Sequence, residues 1–155
     1  MCRYLRNGLV ILILAIAAFG ASNGAASAQS VAPADQLALA GPWHGTWTES
    51  GFRYEAVMVL VVDSNGSVEG SINWTLRATP RPNEAGKVGL KGVEYIRGKF
   101  YPDPGALVVE GYRKDDPNVI LGLDKYRLIV SESRKTMGGI TAHHGPWTGQ
   151  FFLAR

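Results

Sequence analysis

From Val68 to Ala78 the chain alternates without a break. Val68, Gly70, Ile72, Trp74, Leu76 and Ala78 fall on one parity, and Glu69, Ser71, Asn73, Thr75 and Arg77 on the other. Successive side chains of a strand point to opposite faces of a sheet, so this run reads as a strand with one face in a core and one in water. A helix would scatter the same residues around its circumference.

The same pattern recurs along the chain. Eight runs rich in Val, Ile, Tyr, Trp and Thr are expected as strands: 42–49, 52–63, 67–79, 90–101, 106–114, 121–131, 136–142 and 147–155. Turn residues separate them, among them Ser50-Gly51, Asp63-Ser64-Asn65-Gly66, Pro102-Asp103-Pro104-Gly105, Asp115-Asp116-Pro117-Asn118 and His144-Gly145-Pro146. No convincing amphipathic helix follows residue 41, and no internal repeat is visible. The expectation is an all-β domain, an eight-stranded antiparallel up-and-down β-barrel, because closure removes exposed sheet edges. A two-sheet sandwich is the alternative.

The N-terminus is of another kind. Arg3 and Arg6 precede an apolar run from Leu9 to Phe19, and small residues end in Ala26-Ser27-Ala28. These are the parts of a secretory signal peptide, and the run is short for a membrane span. Cleavage is expected after Ala28, with residues 29–41 a flexible leader and 42–155 the barrel. A retained N-terminal anchor is the other possibility. Export to the periplasm or the medium follows. Cys2, the single cysteine, leaves with the signal, so the mature domain has no disulfide and relies on its core. Two of the 16 basic residues leave too, against none of the 13 acidic ones, so the mature formal charge is +1. That near-neutral balance gives no reason to expect nucleic acid or a membrane surface as partner.

Alternation also assigns faces. Inward residues are Trp43, Gly45, Trp47 and Glu49; Tyr54, Ala56, Met58, Leu60 and Val62; and the Val68 parity of the third strand. Further on they are Glu94, Ile96, Gly98 and Phe100; Leu107, Val109, Gly111 and Arg113; Asp124, Tyr126, Leu128 and Val130; and Trp147, Gly149, Phe151, Leu153 and Arg155. Strand seven is too glycine-rich to assign. When the strands run alternately up and down, Val62, Val68, Phe100, Leu107, Val130, Leu153 and Trp43 gather at one end. Glu49, Tyr54, Trp74, Glu94, Arg113, Asp124, Tyr126 and Trp147 gather at the other. Short links close the apolar end, whereas the longer 80–89 and 115–120 segments frame the polar one, where a ligand would enter.

Two motifs carry a family resemblance. The first strand has a Gly-x-Trp start, given twice as Gly41-Pro42-Trp43 and Gly45-Thr46-Trp47, and the last strand ends in Arg155. The chain thereby resembles the calycins, the group of lipocalins, fatty-acid-binding proteins and avidins. The resemblance implies that Trp43 and Arg155 pack together at the closed end. Gly45-Thr46-Trp47-Thr48-Glu49, the Asp63–Gly70 turn and the Trp147–Arg155 strand are most similar to the avidin branch. Phe151 stands where that branch carries a polar residue reaching its ligand, and Glu49 where a small polar acceptor is expected, so biotin is not implied.

The chemistry expected of the open end is binding. Glu49, Glu94 and Asp124 with Arg113 form a charged pocket or a solvated rim. Trp74, Trp147, Tyr54 and Tyr126 stack on a ligand or serve as ordinary core. His44 faces outward and the His143-His144 pair sits in a turn, so neither a metal nor any other cofactor is expected. No nucleophile with a base and an orienting partner is visible, and no enzyme is expected. The leading reading is an exported protein that binds a small molecule in the barrel mouth. The alternative is an exported interaction protein, such as a hydrolase inhibitor, with a filled barrel. Val57, Val59 and Val61 face outward on the 52–63 strand, where a homo-oligomer would bury them.

Overall fold

The computed structural model describes residues 38–155. The expected signal segment 1–28 and the leader up to residue 37 lie outside the described residues. Eight strands follow: β1 (Gly41–Glu49), β2 (Phe52–Val62), β3 (Ser67–Ala78), β4 (Lys91–Tyr101), β5 (Ala106–Asp115), β6 (Lys125–Val130), β7 (Thr136–Ala142) and β8 (Gly149–Ala154). Each is antiparallel to the next, and β1 pairs with β8 through partners such as Thr46 and Phe152, closing an up-and-down barrel. The only helical element among the described residues is a 3-10 segment, Pro82–Lys87, between β3 and β4. None of their helices is long and apolar enough to cross a membrane.

The alternation holds where the strands are regular. In β3, Val68, Ile72, Trp74 and Leu76 are buried, and in β2 Tyr54, Ala56, Met58, Leu60 and Val62. Val59 and Val61 are exposed on the outer face and Val57 is half-buried there. In the glycine-rich β7, Met137 and Thr141 turn inward.

Two of the eight expected ranges move by more than one residue. β6 begins at Lys125, because the Asp116 carboxylate accepts the backbone N–H groups of Ile120 (3.0 Å) and Leu121 (2.8 Å) and curls the preceding residues into a loop. β8 begins at Gly149, after Pro146 has ended the turn. The last residues of the expected leader are also built in: Leu39 is fully buried, and its carbonyl accepts the Trp43 indole N–H at 3.0 Å.

At that end the chain is sealed by Arg155. Its guanidinium carbon lies 4.2 Å from the centre of the Trp43 ring. Its nitrogens donate to the carbonyls of Arg134 (3.0 Å), Ala40 (3.0 Å) and Ala38. The last strand, the β6–β7 turn and the segment before β1 are thereby tied together. Cation–π attraction and these partly solvated bonds are together worth about 1–2 kcal/mol. Arg155→Ala should therefore lower the thermal midpoint by about 5 °C in a scanning-calorimetry comparison. An unchanged midpoint would mean that the seal contributes nothing.

Candidate functional site

Trp43, Met58, Ile72, Ile96, Leu107, Leu128, Met137 and Leu153 are buried together and pack the closed half of the barrel. The other half opens into a cavity of about 340 Å³. Its wall begins on β1 and β2, where Trp47 and Tyr54 meet edge to face with centroids 5.5 Å apart. Tyr54 meets Trp74 of β3 the same way at 5.9 Å. Trp74 then packs on Phe151 (5.1 Å) and Phe151 on Tyr126 (5.8 Å). The rings thus form a continuous wall in which Trp47, Tyr54 and Trp74 stand roughly perpendicular in turn.

At the bottom of this wall sits Glu94, only 2% exposed. One carboxylate oxygen accepts the Trp74 indole N–H at 3.1 Å and the Tyr126 hydroxyl at 2.5 Å. The other accepts the backbone N–H of Asp124 at 3.0 Å. All three donors are neutral, and no salt bridge to Glu94 occurs among the described residues. Burial disfavours its charged form and pushes the carboxyl up to about 7, against the pull of these donors. The same burial raises the Tyr126 hydroxyl well above its usual range.

Two glycines make room for this arrangement. A Cβ on Gly111, on the neighbouring β5, would lie 1.9 Å from the Glu94 carboxylate oxygen. A Cβ on Gly149 would lie 2.1 Å from the Thr141 hydroxyl, which accepts the Trp47 indole N–H at 2.7 Å.

Loops frame the mouth and are fastened to the barrel. The Tyr54 hydroxyl donates to the Ile120 carbonyl at 2.5 Å, and burial raises that hydroxyl to about 12. Lys87 donates to the Val119 carbonyl at 2.9 Å, linking the β3–β4 and β5–β6 loops. Asp124 lies at the rim with its Oδ1 3.2 Å from Nδ1 of His143, and burial raises its carboxyl above the ordinary range. Glu49 accepts a hydrogen bond from the Thr148 hydroxyl on the neighbouring β7–β8 loop.

Six of the eight residues expected at the mouth line this cavity: Glu49, Tyr54, Trp74, Glu94, Asp124 and Tyr126. Arg113 and Trp147 do not. The β4–β5 register shifts between Tyr95 and Ile96, so that Tyr95 pairs with Arg113 and Ile96 with Gly111, leaving Tyr112 without a partner. Such a bulge flips every later side chain to the other face. Arg113 is exposed, its guanidinium carbon 3.6 Å from the Tyr95 ring centre on the outside, and Asp124 takes His143 as its partner instead. Trp147 precedes β8 and is not bound by its alternation; it lies half-buried, with Arg127 stacked 4.4 Å from its ring centre.

The cavity also takes in Trp47, Phe52, Leu76, Arg81, Glu84, Lys87, the loop residues 119–122, and His143. Trp47 was within reach of the alternation, two residues before Glu49 on the same face. His143 sits in an irregular turn, where no period applies. Among the described residues no three His, Cys, Asp or Glu side chains are grouped to hold a metal ion.

Fold and cavity together define an eight-stranded up-and-down barrel with one packed end and one open, aromatic-walled end. Set against protein-family models, curated proteins and solved structures, the chain matches none.

Proposed function

We propose that this is an exported binding protein, not a catalyst, which holds a small, partly aromatic molecule in the open half of the barrel. The observation that carries this reading is the contrast between the two halves. One is filled by buried side chains such as Trp43, Phe100, Leu107 and Leu153, whereas the other keeps about 340 Å³ behind a wall of Trp47, Tyr54, Trp74 and Tyr126. That volume lies at the small end of ligand sites, and the lining has their usual character, apolar rings with a few placed polar groups. The strand order and the Trp43–Arg155 packing support membership of the calycin type. Phe151, buried between Trp74 and Tyr126, argues against biotin as the ligand. Export rests on the segment 1–28.

Native mass spectrometry of the protein purified from its own host tests this reading. The expected result is a retained small molecule that dissociates on activation, and the same spectrum gives the subunit number. A bare mass accompanied by a stoichiometric hydrolase would favour the interaction protein, whose contact would be the mouth loops. Trp74→Phe keeps a ring in the wall but removes the indole N–H from Glu94 and some apolar area. The variant should fold and retain about tenfold less of the molecule.

A further inference from the structure

We infer that the cavity takes a small organic cation, a protonated amine whose charged end lies against Glu94 and Asp124 and whose body stacks among Trp47, Tyr54 and Trp74. The inference rests on the binding reading above and adds the charge of the ligand. It starts from an imbalance. A buried carboxylate is normally matched by a cation, since an isolated charge in a low-dielectric interior is costly. Glu94 has three neutral donors and no cation. Asp124, 3.2 Å from His143, and Glu49, bonded to Thr148, add two further carboxyl groups on the same lining.

The lining's histidine, His143, faces Asp124 at the rim, and its Arg and Lys groups are engaged elsewhere. Arg81 reaches Glu84 at 3.2 Å, and its guanidinium carbon lies 5.1 Å from the Phe52 ring centre. Lys87 lies 3.9 Å from Glu84 and donates to the Val119 carbonyl. Both belong to the β3–β4 loop at the mouth and not to the bottom of the cavity. An anion entering here would have to compete with Glu84 for them and then approach three carboxyl groups. A cation meets the opposite conditions. Indole and phenol faces attract cations most strongly where water is excluded, and Trp47, Tyr54 and Trp74 stand roughly at right angles in turn, so more than one can face a single charge. Glu94 would then be ionised opposite the ammonium, with its own proton released to water.

Three probes that share a ring and a short chain separate charge from shape: 2-phenylethylamine, 2-phenylethanol and phenylacetate. Each is titrated against the mature protein by tryptophan fluorescence and calorimetry. The amine should bind at least about tenfold more tightly than the alcohol, and the anion most weakly. Asp124→Asn, which keeps the shape of the rim, should cut the amine's advantage several-fold and leave the alcohol unchanged. Glu94→Gln should remove most of it. Glu110→Gln, on the outer face beside Arg97, should change nothing. Equal or tighter binding of the alcohol or the anion would overturn the inference while leaving the binding reading intact. Failure of the amine to bind would also overturn it. Failure of all three, together with a bare mass from the host, would remove the binding reading itself.

Discussion

Between about pH 5 and pH 8 the folded protein should lose about 3 kcal/mol of stability, and Glu94→Gln should abolish most of that loss. The cause is burial: an ordinary glutamate titrates at 4.5, and Glu94 in the folded barrel does so at about 7. Across that interval the folded state keeps a proton that the unfolded chain has released. A state that binds more protons is favoured at low pH, so stability is complete below the unfolded value and falls as pH rises through the folded one. Asp124, raised by burial as well, acts in the same direction. Glutamine has no proton to lose, although its amide faces the Asp124 N–H in place of an acceptor and costs about 1 kcal/mol at every pH. Urea unfolding at several pH values measures both curves. The wild type should slope and Glu94→Gln should be nearly flat but lower at acid pH. Parallel slopes would place the titrating group elsewhere.

Gly111→Ala should cost about 3 kcal/mol, or about 10 °C in thermal midpoint, which is large for the addition of one methyl group. The new Cβ would stand 1.9 Å from the Glu94 carboxylate oxygen, 2.8 Å from its Cδ and 3.2 Å from its Cγ. A free glutamate would swing aside. Glu94 is held by Trp74, Tyr126 and the Asp124 backbone, so moving it leaves buried donors unsatisfied, and keeping it bends the β4–β5 pair. The same substitution at Gly86, in the 3-10 segment with nothing within 4 Å, should change stability by only a few tenths of a kcal/mol. Thermal melts of the two variants side by side give the comparison. Equal midpoints would show that the Glu94 cluster is loose.

How far the sequence reached into this structure follows from where period applies. Barrel, strand order and inward parity were legible, because alternation acts on every residue of a regular strand, whereas the Trp43–Arg155 seal was what the calycin resemblance implied. Glu94 and Trp74, well inside β4 and β3, and Tyr126, near the start of β6, were placed correctly for the same reason. Arg113 was lost to one unpaired residue, Tyr112, and nothing in Gly111-Tyr112-Arg113-Lys114 announces a bulge. Asp124 reached the cavity, but by a different route. It stands in a loop shaped by Asp116, and its partner His143 comes from a turn nineteen residues away. Trp147 kept the parity of β8 in sequence but lies outside the strand, where Arg127 covers it. Hydrogen bonds across the mouth, such as Tyr54 to Ile120 and Lys87 to Val119, are tertiary and leave no periodic trace.

The most direct test of the central claim is a crystal structure of the protein purified from its own host, read at the space bounded by Trp47, Tyr54, Trp74 and Glu94. The expected result is continuous density for a bound molecule within those rings, with a nitrogen-bearing end toward Glu94 and Asp124. Side chains of the mouth loops filling that space, with Tyr54 or Leu121 packed against Glu94 and no room for a ligand, would contradict it.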